Sequence, residues 1–485
     1  MDCKPLSRRS FLRSAALTLG AAVAAGCAPQ VVEKIVEKTV LVEKERVVKE
    51  TVLQEKVVKE TVQIQVEKKV EVTKIVEKVK EKVLLRWHRR LGGGWQGHKA
   101  RVAFFEETHP DVKVNIEEFP AGSAEFGPKI AAMIAGGVAG DMTWCAIGTG
   151  SFQFLSWSKT LAGLDDMVAS DKTGFNLDYY YPRVVKAFRM GPGGQGTGEL
   201  QAFPELAHGV GVCLFFNKEM IESEGLQAPT DDWTRDQLLE MSLKMTKGDR
   251  FAFLPALGDY SFARNHTLPW GGEIISADGM KSQFEDEKVV KALAWVYDLF
   301  FKHKVAPTAS QIQAGAYQMF LGKKLVSYQS GGWDLTAVKN LVKDAFKWDM
   351  VMMPKGPAGH RGGHLHADGE AILAMSKNKA LAYELGRTVT DLEGQVNLAL
   401  EIGLAASPGA YKDKRVTGNP LVIKIGKSTE ESAEHLGPAN QRKQELQTTV
   451  GAILGPLWTG DSKPDAAFFG AASKTLQDFL NKKAE

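Results

Sequence analysis

From Val83 onward, apolar and polar positions alternate in two periods. Val83-Leu-Leu-Arg-Trp87 and Val112-Lys-Val-Asn-Ile116 read as strands, and between them Val102, Phe104 and Phe105 mark an amphipathic helix from Ala100 to Thr108. Leu91-Gly-Gly-Gly-Trp95 joins the first strand to that helix, and His109-Pro110-Asp111 turns the chain after it. Strand–helix–strand with a Gly-rich connection is the unit of an α/β sheet. The alternation continues to the end of the chain. It predicts helices over 129–135, 234–246, 288–302, 380–401 and 466–482, and short strands over 210–216, 324–328, 348–353 and 371–375.

Residues 31–83 keep to neither period. They are mostly Val, Ile, Glu, Lys and Thr, with no Gly, Pro, Asp or aromatic residue, and the decapeptide beginning at Arg46 recurs from Lys56 with small changes. Apolar pairs spaced by five fit neither 3.6 nor 3.5 residues per turn. β-branched residues depress helix propensity while interleaved Glu and Lys support it. A stiff charged spacer and a solvated tether are both compatible with this pattern, and either holds the α/β body away from the N-terminal segment.

In that N-terminal segment, Ser7-Arg8-Arg9-Ser10-Phe11-Leu12-Arg13 leads into a small-residue apolar stretch ending in Ala24-Ala25-Gly26-Cys27. The basic flank, the short apolar middle and the small-residue end are those of an export signal, and the twin arginine points to the Tat route, which carries folded cargo. Cys27 after Ala-Ala-Gly resembles a lipoprotein cleavage site and would become the lipidated first residue, although Ala24 stands where such sites usually carry Leu. An uncleaved anchor is the alternative. Either way the body is expected to work outside the cytoplasm, tied to the cell membrane.

The leader alters the charge balance. Its four basic residues and one acid account for the whole net charge of +3, so the remainder is formally neutral and carries no basic face for nucleic acid. The roughly 400 residues after Val83 favour two lobes over one. Beyond Cys3 and Cys27 only Cys145 and Cys213 remain, and the spacing does not say whether they meet. Gly92-Gly-Gly94 is not read as a dinucleotide-binding fingerprint, no P-loop, Cys-x-x-Cys, Gly-x-Ser-x-Gly or His-Glu-x-x-His occurs, and the expectation is no cofactor.

From Leu84 the chain resembles the family 1 extracellular solute-binding proteins, the sugar receptors of ABC importers, through ordered stations. They are Phe104 to Val114, Gly140-Asp-Met-Thr-Trp144, Leu214-Phe-Phe-Asn-Lys218 with Gly225-Leu226, Pro229 and Asp232-Trp233, Trp270-Gly-Gly-Glu273 with Ala277-Asp-Gly279, Phe320 to Trp333, Met353 to Gly359, and Ser376-Lys-Asn378. The resemblance implies a two-lobed α/β fold of the type II periplasmic-binding-protein kind, with ligand in the cleft between lobes. Its implied organisation is a signal over 1–26, an anchor and stalk over 27–83, lobe I over 84–203, lobe II over 204–324, lobe I again over 325–368 and lobe II over 369–485. The implied partners are a carbohydrate and the transmembrane permease of an importer, with the membrane reached through lipid on Cys27 and no catalysis. A Tat-exported metal- or cofactor-dependent enzyme, or the same fold with a non-sugar solute, are the alternatives.

Sugars present apolar C–H faces and polar edges, so a sugar site needs aromatic platforms with carboxylates and amides beside them. Trp144, at the end of a strand, and Trp270, before Gly271-Gly272, are the expected platforms of the two lobes. Trp333, after Gly331-Gly332, and Trp95-Gln96 in the first sheet loop join them, and Glu205 is an expected hydroxyl acceptor. Trp233 and Trp295 read as packing. The segment His360, His364, His366, Asp368, Glu370 is more polar than the family pattern. His366 and Asp368 are expected ligand contacts there, with a metal shell the alternative. Arg89 and Arg90 leave room for an anionic ligand.

Overall fold

The computed structural model describes residues 82–91, 96–120, 123–312, 315–434 and 442–482. The leader, Cys27, the stalk segment and Trp95 lie outside them. The span Val79–Glu485 is one compact unit, and no helix among the described residues is long and apolar enough to cross a membrane. In chain order the first strands are β1 (Val83–Arg90), β2 (Val112–Phe119), β3 (Met142–Ala146), β4 (Arg189–Gly191), β5 (Gly194–Gln195) and β6 (Glu199–Leu200). After them come β7 (Phe203–Gly209), β8 (Cys213–Asn217), β9 (Phe251–Leu254), β10 (Leu325–Ser330), β11 (Trp348–Met352) and β12 (Leu365–Ile372).

Two sheets organise the body. The first runs β2-β1-β3-β12-β7, the second β11-β8-β10-β9, and β5-β4-β6 make a small third one. In the first sheet β1 is parallel to β2 and β3, while β12 is antiparallel to both of its neighbours. Helices cover both faces, which is why β3 and β7 are buried along their whole length. Helix Gln96–Thr108 turns Val102 and Phe105 into this core, and helix Ser123–Ala135 supplies Phe126 and Ile130. The second sheet sandwiches Leu214, Phe216, Phe253 and Val351 against Leu238 and Met241 of helix Arg235–Met245 and Val296 and Leu299 of helix Glu287–Phe301. A further core joins helices Tyr260–Thr267, Glu287–Phe301, Lys443–Thr459 and Ala466–Asn481 through Tyr260, Leu293, Leu454 and Leu476.

Local chemistry sets the element boundaries. Thr234 and Gln237 form a reciprocal capping box at the start of helix Arg235–Met245. The single helix expected over 380–401 is two helices, Lys379–Thr390 and Leu392–Ile402, because Asp391 is extended (ψ 176°) and its carboxylate accepts from the Gly394 N–H at 2.8 Å.

The expected lobe boundaries are corrected at every crossover. The chain leaves the first sheet at Gly209 and enters the second at Cys213, later than the expected crossing at 203–204. β10 does not return to lobe I: Ser327 pairs antiparallel with Phe216 of β8, so 325–352 belongs to the second sheet. β12 returns to the first sheet, and the two helices after it pack on helix Gln96–Thr108, so 369–402 lies in lobe I and not in lobe II. Short strands buried on both faces look alike from either sheet, and only pairing assigns them.

Candidate functional site

A cavity of about 390 Å³ lies where the sheets meet, within the size range of small-molecule sites. The first sheet contributes strand ends, the usual position of α/β ligand clefts. Arg90 closes β1, Gly148 and Thr149 come just after β3, and Leu206 and His208 come from β7. β12 adds His366 and Asp368, two apart on one face of the strand. The facing wall holds Asp259, Ser261 and Phe262 at the start of helix Tyr260–Thr267, with Trp333 after β10.

Pairing of β7 with β12 sets His208 directly opposite His366, and their rings lie 5.1 Å apart. A register shift comes next, at Asp368–Gly369, and the Asp368 carboxylate remains 2.8 Å from His366 Nε2. Trp333 meets His208 edge to face at 5.1 Å. Two glycines make room for these rings. A Cβ on Gly148 would overlap the His366 imidazole, and one on Gly331 would overlap the Trp333 indole. Burial, reinforced by neighbouring His366, pulls the His208 pKa down to about 4. Asp259 serves its own helix, accepting from the N–H groups of Ser261 (2.9 Å) and Phe262 (3.3 Å), and burial raises its pKa.

Helix Lys443–Thr459 ties the walls together. The Gln447 amide donates to the Gly148 carbonyl and to Ser261 Oγ at 3.0 Å, while its oxygen accepts from the Ser261 N–H at 3.1 Å. One buried side chain thus joins a loop of the first sheet to the helix start on the facing wall.

Of the residues expected from sequence, Trp333, His366 and Asp368 meet in this cavity. Arg90 joins them, whereas Trp144, Trp270, Gln96 and Glu205 lie elsewhere. Trp144 is 2% exposed, set edge-on to Phe126 at 5.2 Å, and reaches the site only through the Arg90 guanidinium 5.5 Å over its ring. A central strand covered on both faces sends its large side chains into the core, so this indole is packing and not the expected platform. Trp270 packs on Trp295 at 5.4 Å, with Arg235 5.8 Å from its ring. That guanidinium donates to the Pro354 and Arg361 carbonyls, so the group fastens the 353–364 connection. Gln96 begins its helix, and its N–H donates to Glu401 at 2.9 Å.

Glu205 is sealed beneath the cavity in an ionic group with Arg89, His98, Glu370 and Trp87. Arg89 bridges Glu205 (2.6 Å) and Glu370, His98 stands 3.1 Å from Glu205, and Trp87 Nε1–H donates to Glu370 at 2.5 Å. Burial opposes ionisation of Glu205, but Arg89 and His98 outweigh it and hold its pKa at about 2. Glu370, where burial dominates and Glu205 adds to it, is raised well above the ordinary range. Arg89 thus ties the two carboxyl groups together and clamps β1, β7 and β12. The polar residues of 360–370 are dispersed and make no metal shell: His360 is exposed, His364 is buried beside β12, and Glu370 belongs to the ionic group. No group of three or more His, Cys, Asp or Glu among the described residues is arranged to hold a metal. His208, Asp259, Ser261 and Gln447 are site residues that the sequence does not announce. None carries a local motif, and only the pairing of β7 with β12 and the docking of helix Lys443–Thr459 bring them to the site.

Two sheets, two strand crossings and a cavity between the walls define a binding protein of the two-lobed kind. The family model described as bacterial extracellular solute-binding protein matches residues 100–422, and the chain belongs to that family. Its body is similar to the ABC substrate-binding protein Lmo0181 from Listeria monocytogenes in complex with cycloalternan (TM-score 0.72, 18% identity, 83% of this chain and all of that one). It is also similar to maltose-bound MalE3 of T. maritima (0.68, 19%, 82% and 99%). A third similar structure is UgpB from Mycobacterium tuberculosis in complex with glycerophosphocholine (0.69, 14%, 82% and 98%). No curated protein matches by sequence.

Proposed function

We propose that this protein is an extracytoplasmic receptor that captures a carbohydrate in the cavity between its lobes and passes it to the permease of an ABC importer. One observation carries the reading: an indole at the cavity edge, Trp333, shares the cavity with an imidazole–carboxylate pair, His366 and Asp368, and packs on His208 beside that pair. Ring faces take the C–H side of a sugar and the pair takes its hydroxyls. Lmo0181 and MalE3 hold sugars, which supports the same reading. The role requires no catalysis, and we include in it the lipid anchor at Cys27.

A second reading, an anionic solute, is favoured by Arg90, whose Nε lacks a partner beside the cavity. Thermal shift with maltose, maltotriose, mannotriose and glycerophosphocholine separates the two, because a ligand that binds only the folded state raises Tm. A rise with a neutral sugar supports capture of carbohydrate, and a rise with glycerophosphocholine alone rejects it. For the anchor, mass spectrometry of membrane fractions should find an acylated N-terminus at Cys27, and a mature N-terminus elsewhere rejects it.

A further inference from the structure

Resting on the carbohydrate reading of this cleft, we propose that His208 determines specificity by accepting a hydrogen bond from one ligand hydroxyl through Nε2. The other ring nitrogen fixes the tautomer. Nδ1 lies 3.0 Å from the Gly209 carbonyl oxygen. A carbonyl only accepts, so Nδ1 carries the hydrogen. The ring is enclosed (3% exposed) between Trp333 and His366, where the charged form is disfavoured and the pKa falls to about 4. A neutral imidazole protonated at Nδ1 has a bare lone pair at Nε2.

Among the described residues nothing uses that lone pair. Nε2 makes no hydrogen bond, yet it is not among the buried polar atoms shut off without a partner, and the residue lines the cavity. A nine-tenths-buried acceptor with a fixed tautomer is therefore turned to the ligand space. Its neighbours reinforce the selection. Asp368 supplies further acceptor oxygens on the adjacent strand, and Trp333 offers a ring edge-to-face with His208. A ring with its C–H face on Trp333 would direct an edge hydroxyl to Nε2. A ligand with an ether oxygen, a phosphate or a deoxy carbon there would leave the lone pair unmatched or face it with another, and an unmatched buried acceptor is costly.

The test uses the full-length protein and measures Kd by calorimetry for maltose, maltotriose and mannotriose with wild type, His208→Phe and His208→Gln. His208→Phe keeps a ring but removes the acceptor, whereas glutamine restores one near Nε2. The expected result is at least about tenfold weaker binding by His208→Phe and, by His208→Gln, Kd within about threefold of wild type for the tightest sugar. Side-chain ¹⁵N NMR on wild type provides a readout independent of variant folding. Free protein at pH 7 should show Nδ1 protonated and Nε2 bare, and the same sugar should shift Nε2 and leave Nδ1 in place. Equal binding by His208→Phe, or a protonated Nε2 in the free protein, overturns the assignment while sugar binding itself stands. If none of the three sugars binds, the carbohydrate reading fails and the role of His208 fails with it.

Discussion

Two tryptophans separate binding from packing at the level of single residues. Trp333 is 36% exposed at the cavity edge and Trp144 is 2% exposed in the core. Truncating an aromatic anchor that ligand desolvates commonly costs about 2 kcal/mol or more, whereas emptying a core position costs about 3–5 kcal/mol of stability. Trp333→Ala should therefore weaken sugar binding roughly thirtyfold with a nearly unchanged Tm of free protein, and Trp144→Ala should lower Tm sharply. Calorimetry and thermal melts on both variants check this. Acid sensitivity also resides in single side chains. Burial, aided by His366 at His208 and by Arg235 at His266, lowers both pKa values to about 4. Their ordinary value in an unfolded chain is about 6.5, so between these limits the unfolded state binds more protons. The stabilisation is complete above about pH 6.5 and is lost as pH falls towards 4. Urea midpoints from pH 7.5 to 4.5 should drop across that window, and replacing His266 by an apolar ring should flatten part of the drop.

Among the elements, helix Lys443–Thr459 has the greatest leverage on the cavity. It lies beyond the residues matched by the family model, yet Gln447 fastens Gly148 to Ser261. Gln447→Leu strips the Gly148 carbonyl of this partner and leaves the Ser261 N–H only its bond to Asp259, at a cost of about 1–3 kcal/mol. Because both bound segments line the cavity, sugar affinity should fall about five- to thirtyfold, measured by calorimetry. An unchanged Kd with a lowered Tm would make the helix mere packing. This element also marks how far the sequence can be read. Strand Val83–Arg90, helix Glu287–Phe301 and helix Ala466–Asn481 have clean periods and are visible in it. Helix Lys443–Thr459 begins with polar residues and contains Pro456, and the site glutamine in it is indistinguishable by type from a surface one. Trp333, His366 and Asp368 are legible because an aromatic after two glycines and a polar run are unusual locally. His208 is not, since its partner is 158 positions away, across a strand pairing no local pattern encodes.

For the whole molecule, the body is self-sufficient. The two main sheets and the helices on them form a compact unit from Val79 onward, and every cavity residue belongs to it. A protein beginning at Val79 should bind the same sugar within about threefold of the full chain, a difference under roughly 0.7 kcal/mol; a tenfold loss measured by calorimetry would assign the preceding segment a part in binding. Closure of such lobes on ligand requires higher affinity for the closed form. Among the described residues the sheets are joined at 210–212 and 353–364, where closure of this kind would bend the chain, and Arg235 with Trp270 grips the second of them.

Cys145 on β3 and Cys213 on β8 lie in separate sheets, fully buried and unlinked. Burial, then nearby carboxylates, raises both thiol pKa values, so neither sulfur is a thiolate in the folded protein. Outside the cytoplasm, disulfide chemistry acts on whatever sulfur it can reach. An unfolded chain arriving there would offer both thiols to each other and to every other protein in transit. A folded one offers neither. The timing of folding relative to export therefore decides whether this protein meets oxidant as a reactive polymer or as an inert particle.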